Sequence, residues 1–178
     1  REKLIDKYAN EFAAYIDIKH KVSKKLTLQY GIRASNFIRL GQDELNIYEN
    51  DNPLLFNEEF QIYRAAAPIQ TKTYSRSESI KTFTNIEPRV ALAYTFNEYS
   101  SIKASYNRMA QYLHLLSNTN SPTPLDVWTP SGKYIKPQLL NQFALGYYRN
   151  TKNNMYSIEV ETFFKEIQNR IDYIDGAN

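Results

Sequence analysis

Phe12-Ala13-Ala14-Tyr15-Ile16-Asp17-Ile18-Lys19 alternates its side chains step by step. Phe12, Ala14, Ile16 and Ile18 fall on one side of an extended chain. Ala13, Tyr15, Asp17 and Lys19 fall on the other, because successive strand residues point to opposite faces. After Lys21-Val22-Ser23-Lys24-Lys25 the pattern resumes: Leu26, Leu28, Tyr30, Ile32 and Ala34 alternate with Thr27, Gln29, Gly31, Arg33 and Ser35. Two further pairs repeat it. Val90, Leu92, Tyr94 and Phe96 are followed, beyond Asn97-Glu98-Tyr99-Ser100, by Ile102, Ala104 and Tyr106. Phe143, Leu145 and Tyr147 are followed, beyond Asn150-Thr151-Lys152-Asn153-Asn154, by Tyr156, Ile158, Val160, Thr162 and Phe164. Connections are short within a pair and long between pairs, the asymmetry of outer-membrane barrels with brief periplasmic turns and extended extracellular loops.

The expected fold is therefore all-β: a segment of an antiparallel transmembrane β-barrel, with six strands in three hairpins. Strands are expected near 10–21, 25–38, 87–97, 101–112, 139–149 and 155–166, and extracellular loops near 39–86, 113–137 and 167–178. The polar side of the strands is rich in Arg, Lys, Asp and Glu and would face a watery lumen, while the other side would meet acyl chains. Six strands cannot close a lipid-facing barrel, since single-chain barrels start at about eight. An open sheet edge in hydrocarbon would leave backbone groups unsatisfied. The chain thus reads as part of a larger protein, with any plug domain outside it.

Composition narrows the alternatives. The 178 residues suffice for one domain with a real core. With 22 Lys+Arg against 19 Asp+Glu, the net charge of +3 implies no nucleic-acid partner. There is no cysteine, hence no disulfide or thiol chemistry. A mean hydropathy of −0.59 and the lack of a long apolar run exclude a membrane-spanning helix but not a barrel, whose strands are greasy only at every second position. Tyr94, Phe96, Tyr99, Tyr147, Tyr148 and Tyr156 cluster at the short turns, where an interfacial aromatic girdle would lie.

Glu87-Pro88-Arg89-Val90-Ala91-Leu92-Ala93-Tyr94, then Ile102-Lys103-Ala104-Ser105-Tyr106-Asn107-Arg108-Met109-Ala110-Gln111-Tyr112-Leu113-His114-Leu115, resembles the barrel of Bacteroidota-type TonB-dependent outer-membrane receptors. So do Ser121-Pro122-Thr123-Pro124-Leu125-Asp126-Val127-Trp128 through Lys136-Pro137-Gln138, and the strand Tyr30-Gly31-Ile32-Arg33. The resemblance covers most of the chain and is least specific over 41–86. It implies a barrel of about 22 strands filled by an N-terminal plug. It also implies energy supplied through TonB and solutes such as iron chelates, cobalamin, glycans or peptides. Outer-membrane lipid would surround the barrel, and plug and TonB would engage through parts outside this chain. A surface lipoprotein caps the barrel in glycan-importing members and is a further partner the resemblance allows.

Two sets of residues then stand out. Asp17, Arg33, Arg89, Lys103, Glu159 and Glu161 are expected to face the lumen, pairing with one another or with plug groups because shielded charges need partners. Tyr112, His114, Asp126, Trp128 and Tyr134 are the loop candidates for solute contact. The stretch 113–137 holds four of the seven prolines (Pro122, Pro124, Pro130, Pro137) and the only tryptophan, so it is stiffened. A stiff loop can present a binding surface or simply pack onto the wall. Gly31 and Gly146 mark a bend or a close approach by another backbone.

No enzyme activity is expected. The two histidines, His20 and His114, lie in different segments, no spacing suggests a metal site, and none of the five glycines forms a phosphate-binding run. Glu159 and Glu161, about 7 Å apart on one strand face, could serve glycoside hydrolysis, but no other feature points that way. No cofactor is implied. Two alternatives stay beside transport across the outer membrane: a soluble β-sandwich or jelly-roll binding module, and an outer-membrane barrel with another task such as adhesion. In a sandwich, Leu26, Leu28, Leu92, Tyr94, Leu145 and Ile158 would pack together. In lipid they would point outward.

Overall fold

The computed structural model describes residues 6–41, 44–116, 127–151 and 155–171. Its strands are β1 (Ala9–Lys21), β2 (Leu26–Leu40), β3 (Glu44–Ile47), β4 (Leu54–Asn57), β5 (Ile62–Ala65), β6 (Gln70–Thr73), β7 (Ser79–Asn97), β8 (Ser100–Gln111), β9 (Leu113–Leu116), β10 (Val127–Pro130), β11 (Gln138–Asn150) and β12 (Ser157–Gln168). Six of them form one sheet in the order β1-β2-β7-β8-β11-β12, every neighbour antiparallel. β1 and β12 are its two edges, so the sheet is open rather than closed into a barrel. No helix of the described residues is long and apolar enough to cross a membrane, which says nothing of strands.

The long connections hold more pairing than the sequence pattern suggests. β2 runs on to Leu40 and β7 begins at Ser79, with Leu40 opposite Ser79. The first connection then folds into two small ladders, β3 with β6 and β4 with β5. Between them Asn50 and Asp51 take positive φ (53° and 55°), which Asn and Asp tolerate better than most residues. In the second connection β9 pairs with β10.

The register sorts the side chains of the main sheet into two faces. One cross-sheet row reads His20, Leu28, Leu92, Ala104, Leu145, Thr162. The next reads Ile18, Tyr30, Val90, Tyr106, Phe143, Phe164. Leu26, Leu28, Leu92, Tyr94, Leu145 and Ile158 all share this face. Leu92 (38% exposed) and Ile158 (54%) stay open, as do Val90 and Phe143. Both faces of a single sheet are accessible, so exposure alone separates nothing. The contrast is chemical: Asp17, Lys19, Arg33, Arg89, Lys103 and Glu161 stand on the opposite face.

Polar groups bound the apolar band above. On β2 and β7 the Asn36 amide donates to Thr84 Oγ1 (2.9 Å). On β8, β11 and β12 the margin sits lower, where Tyr106 donates to Asn141 (3.1 Å) and Asn141 to Glu166 (3.3 Å). The band therefore crosses the sheet obliquely. Its centre on β1, midway between Phe12 and Ile18, is residue 15, and on β12, midway between Ile158 and Phe164, it is Glu161. Traced through Gly146, Lys103, Ala93 and Thr27, Glu161 is level with Lys21. The displacement is six residues (15 to 21) over five strand-to-strand steps. At about 3.3 Å per residue and about 4.8 Å between strands, the strands incline by roughly 40° to the perpendicular of the band.

The chain encloses little. Among the described residues only Phe37 and Tyr112 are buried hydrophobics. The accessible surface is 13651 Å², against about 9,000 Å² for a compact monomer of this mass.

Candidate functional site

The polar face carries a charge network built from strand geometry. Asp17 and Arg89 are not direct neighbours, since each lies opposite Gly31 on the strand between them. With no side chain at Gly31 the two reach across β2, Arg89 Nε to Asp17 Oδ2 at 3.8 Å, and Gln29 also donates to Asp17 (2.8 Å). A Cβ on Gly31 would lie 2.6 Å from the Ile16 carbonyl oxygen, so close backbone approach does require this glycine. Gly146 differs: the Tyr148 ring, a side chain, covers it. Tyr148 donates a hydrogen bond to Glu161, and Lys103 Nζ stands 4.2 Å from its ring centroid. Tyr148 thus lies on the polar face, away from Tyr94 and Tyr147, which share the apolar face.

Arg33 bridges two carboxylates, Glu87 (2.7 Å) and Glu11 (2.9 Å). Ser35 donates to the same Glu87 oxygen (2.7 Å), and the Ala110 N–H donates to its other oxygen (3.3 Å). Glu87 is buried, and these donors compensate its desolvation. Glu11 and Glu87 were outside the expected set. Parity alone could have found Glu87, two residues from Arg89 and hence on the same face. Glu159 shares this face as well.

The loop candidates do not converge on one site. Tyr112 is buried, stacked on Phe37 (4.7 Å between centroids, 3° between planes), with its hydroxyl 2.7 Å from Ser35 Oγ and accepting from Asn85 (2.8 Å). His114 is buried too, its Nε2 2.8 Å from Ser131 Oγ, and burial pushes its imidazole pKa down. Among the described residues its Nδ1 has no hydrogen-bond partner. Trp128, on β10 opposite Leu115, is 59% exposed. Tyr134 donates to the Asn46 carbonyl (2.8 Å) and meets the Tyr48 ring edge-on. Desolvation pushes its phenol pKa up. Beside it the bond to Asp51 (2.7 Å) holds Lys133 above its ordinary range. Asp126 lies outside the described residues.

A groove of about 550 Å³ runs over the polar face, floored by small residues such as Ala91, Ala93, Ala144 and Gly146 and flanked by Lys19 and Lys103. Among the described residues no group of three His, Cys, Asp or Glu side chains could hold a metal ion. No protein-family profile matches the chain, and no curated protein or solved structure matches it either.

Proposed function

We propose that this chain is a wall segment of a lipid-facing outer-membrane β-barrel of the TonB-dependent receptor type, serving active uptake of a solute across the Gram-negative outer membrane. The solute class is an iron chelate, cobalamin, a glycan or a peptide, and the segment contributes wall and loops rather than chemistry. One observation carries the lipid-facing part: an apolar sheet face, uncovered among the described residues, crossed by its strands at roughly 40°. Membrane barrels tilt their strands by about 35–45°. The nine-residue spans Leu26–Ala34 and Ile86–Tyr94 rise about 20 Å along the perpendicular at that slope, near the roughly 25 Å apolar band of such barrels. A sandwich would need a second sheet over Leu92, Leu145 and Ile158, and none of the described strands lies there. The transport part rests on the resemblance, with Trp128 the exposed loop aromatic.

The chain has no cysteine, so single-cysteine labelling is clean. In lipid vesicles, Leu92→Cys and Leu145→Cys should resist a water-soluble maleimide and, once labelled with a membrane-permeant fluorescent maleimide, be quenched by bromine on lipid tails. Lys103→Cys and Arg89→Cys should do the reverse. Equal labelling of both sets, or dispersal as a monomer without detergent, would defeat the lipid-facing reading. Uptake is tested by deleting the gene. Undiminished growth on iron chelates, cobalamin, glycans and peptides as limiting nutrients would remove transport and leave the adhesion-type barrel.

A further inference from the structure

The groove on the polar face carries an uneven charge. Two adjoining cross-sheet rows line it: Lys21, Thr27, Ala93 and Lys103 in one, Lys19, Gln29, Ala91 and Ser105 in the next. Lys19 and Lys21 share one face of β1, with Cα atoms about 7 Å apart. The small side chains of Ala91 and Ala93 leave the space between these lysines and Lys103 open. The nearby carboxylates are committed elsewhere. Asp17 is held by Gln29 (2.8 Å) and Arg89 (3.8 Å), and Glu161 accepts from Tyr148. Glu159 faces the same way but lies on β12, five strand-to-strand steps from β1, or about 24 Å. Among the described residues the Lys19 and Lys21 ammonium groups make no hydrogen bond or ion pair, and Lys103 meets the Tyr148 ring but no carboxylate. One cavity of about 550 Å³ is thus lined by three lysines with no acidic partner of their own.

We infer that this groove binds a small solute bearing two or more acidic groups, carboxylates or phosphates, with Lys19, Lys21 and Lys103 as the contacting cations. The inference deepens the uptake reading and rests on it, because only in an enclosed barrel does a solute pass along this face. It narrows the solute classes above to their anionic members. Cations shielded by a barrel wall need counter-charge, and a solute with several acidic groups supplies it from one molecule. The β1 lysines stand on one side of the small-residue floor and Lys103 on the other, so acidic groups at both ends of a solute find a cation. The Thr27 and Ser105 side chains between them offer hydroxyl donors.

The test uses full-length protein with a single reporter thiol on the groove floor, Ala93→Cys, and follows its alkylation by iodoacetamide, a neutral reagent. Citrate and pyrophosphate serve as carboxylate and phosphate probes, and sucrose as an uncharged one. Citrate, pyrophosphate or both should slow the alkylation, the effect fading with salt, and sucrose should not. Whichever probe protects identifies the acid that the groove prefers. Adding Lys19→Gln and Lys21→Gln should weaken the protecting anion by about two- to five-fold per lysine and leave the rate without anion unchanged, which shows the groove intact. Lys81→Gln, at the far end of β7, should change nothing. An unreactive reporter, no protection by either anion, equal protection by sucrose, or undiminished protection in the lysine variant would overturn the anion groove. Each would leave the lipid-facing reading standing so long as Leu92→Cys stays shielded. If Leu92→Cys in lipid vesicles reacts with a water-soluble maleimide as fast as Ala93→Cys, both readings fall.

Discussion

At the residue scale, two glycines do different work on the same face. Gly31 allows the Ile16 backbone to approach and lets Asp17 and Arg89 meet across it. Gly31→Ala is expected to destabilise the fold by about 1–3 kcal/mol, as crowding of a tightly packed position does. The clash is with backbone, which cannot rotate away. Gly132 is the control: an added Cβ would meet the Arg39 side chain no closer than 3.5 Å, an ordinary contact. Chemical denaturation in detergent checks the pair, and equal costs would refute the reading. Gly146 suggests, from sequence, a bend or a close backbone approach. It is instead a seat for Tyr148, and the change follows from a side chain two residues along folding back on its own strand.

At the scale of elements, the upper ends of β2, β7 and β8 are tied through one hydroxyl. Tyr112 follows the end of β8 and engages Ser35 of β2 and Asn85 of β7. Tyr112→Phe keeps the stack on Phe37 but removes the hydroxyl's bonds to buried Ser35 and half-buried Asn85, at an expected cost of about 1–2 kcal/mol. Calorimetry would detect it, and an unchanged melting temperature would count against the tie. The β9–β10 hairpin carries a pH dependence. His114 is buried and its folded pKa is lowered by desolvation, so the neutral form is favoured in the hairpin. Its stability is fully present above the ordinary imidazole value and is lost as pH falls below it, because the unfolded segment then binds the extra proton. Amide exchange in β9 and β10 should therefore quicken on acidification, and His114→Gln should flatten the profile. A flat profile in wild type would refute it.

At the scale of the whole molecule, the two faces should tolerate charge differently. In lipid, Leu92→Arg puts a cation against acyl chains and should cost about 2–4 kcal/mol. Ala93→Arg, next along β7 but on the polar face, should cost much less. Unfolding by urea from lipid vesicles reads both, and equal costs would mean that both faces meet the same solvent. The accessible surface, well above that of a compact monomer, makes the same point from the energetic side: this sheet does not by itself bury enough apolar area to offset the entropy of ordering it.

Strand existence and facing were legible in the residues because period-two alternation is local: Phe12 to Ile18 or Ile158 to Phe164 needs no partner to declare its sides. The upper half of β7 was not, because Ile80, Phe83 and Ile86 recur every third residue and become a strand only by pairing with β2, Phe83 opposite Phe37. The burial of Tyr112 and His114 was equally hidden. Their partners, such as Asn85 and Ser131, lie many residues away, and only chain closure brings them together. The oblique course of the apolar band belongs to the register. Each strand names its greasy residues alone, but how far one strand slides past the next is decided by the backbone ladder that joins them.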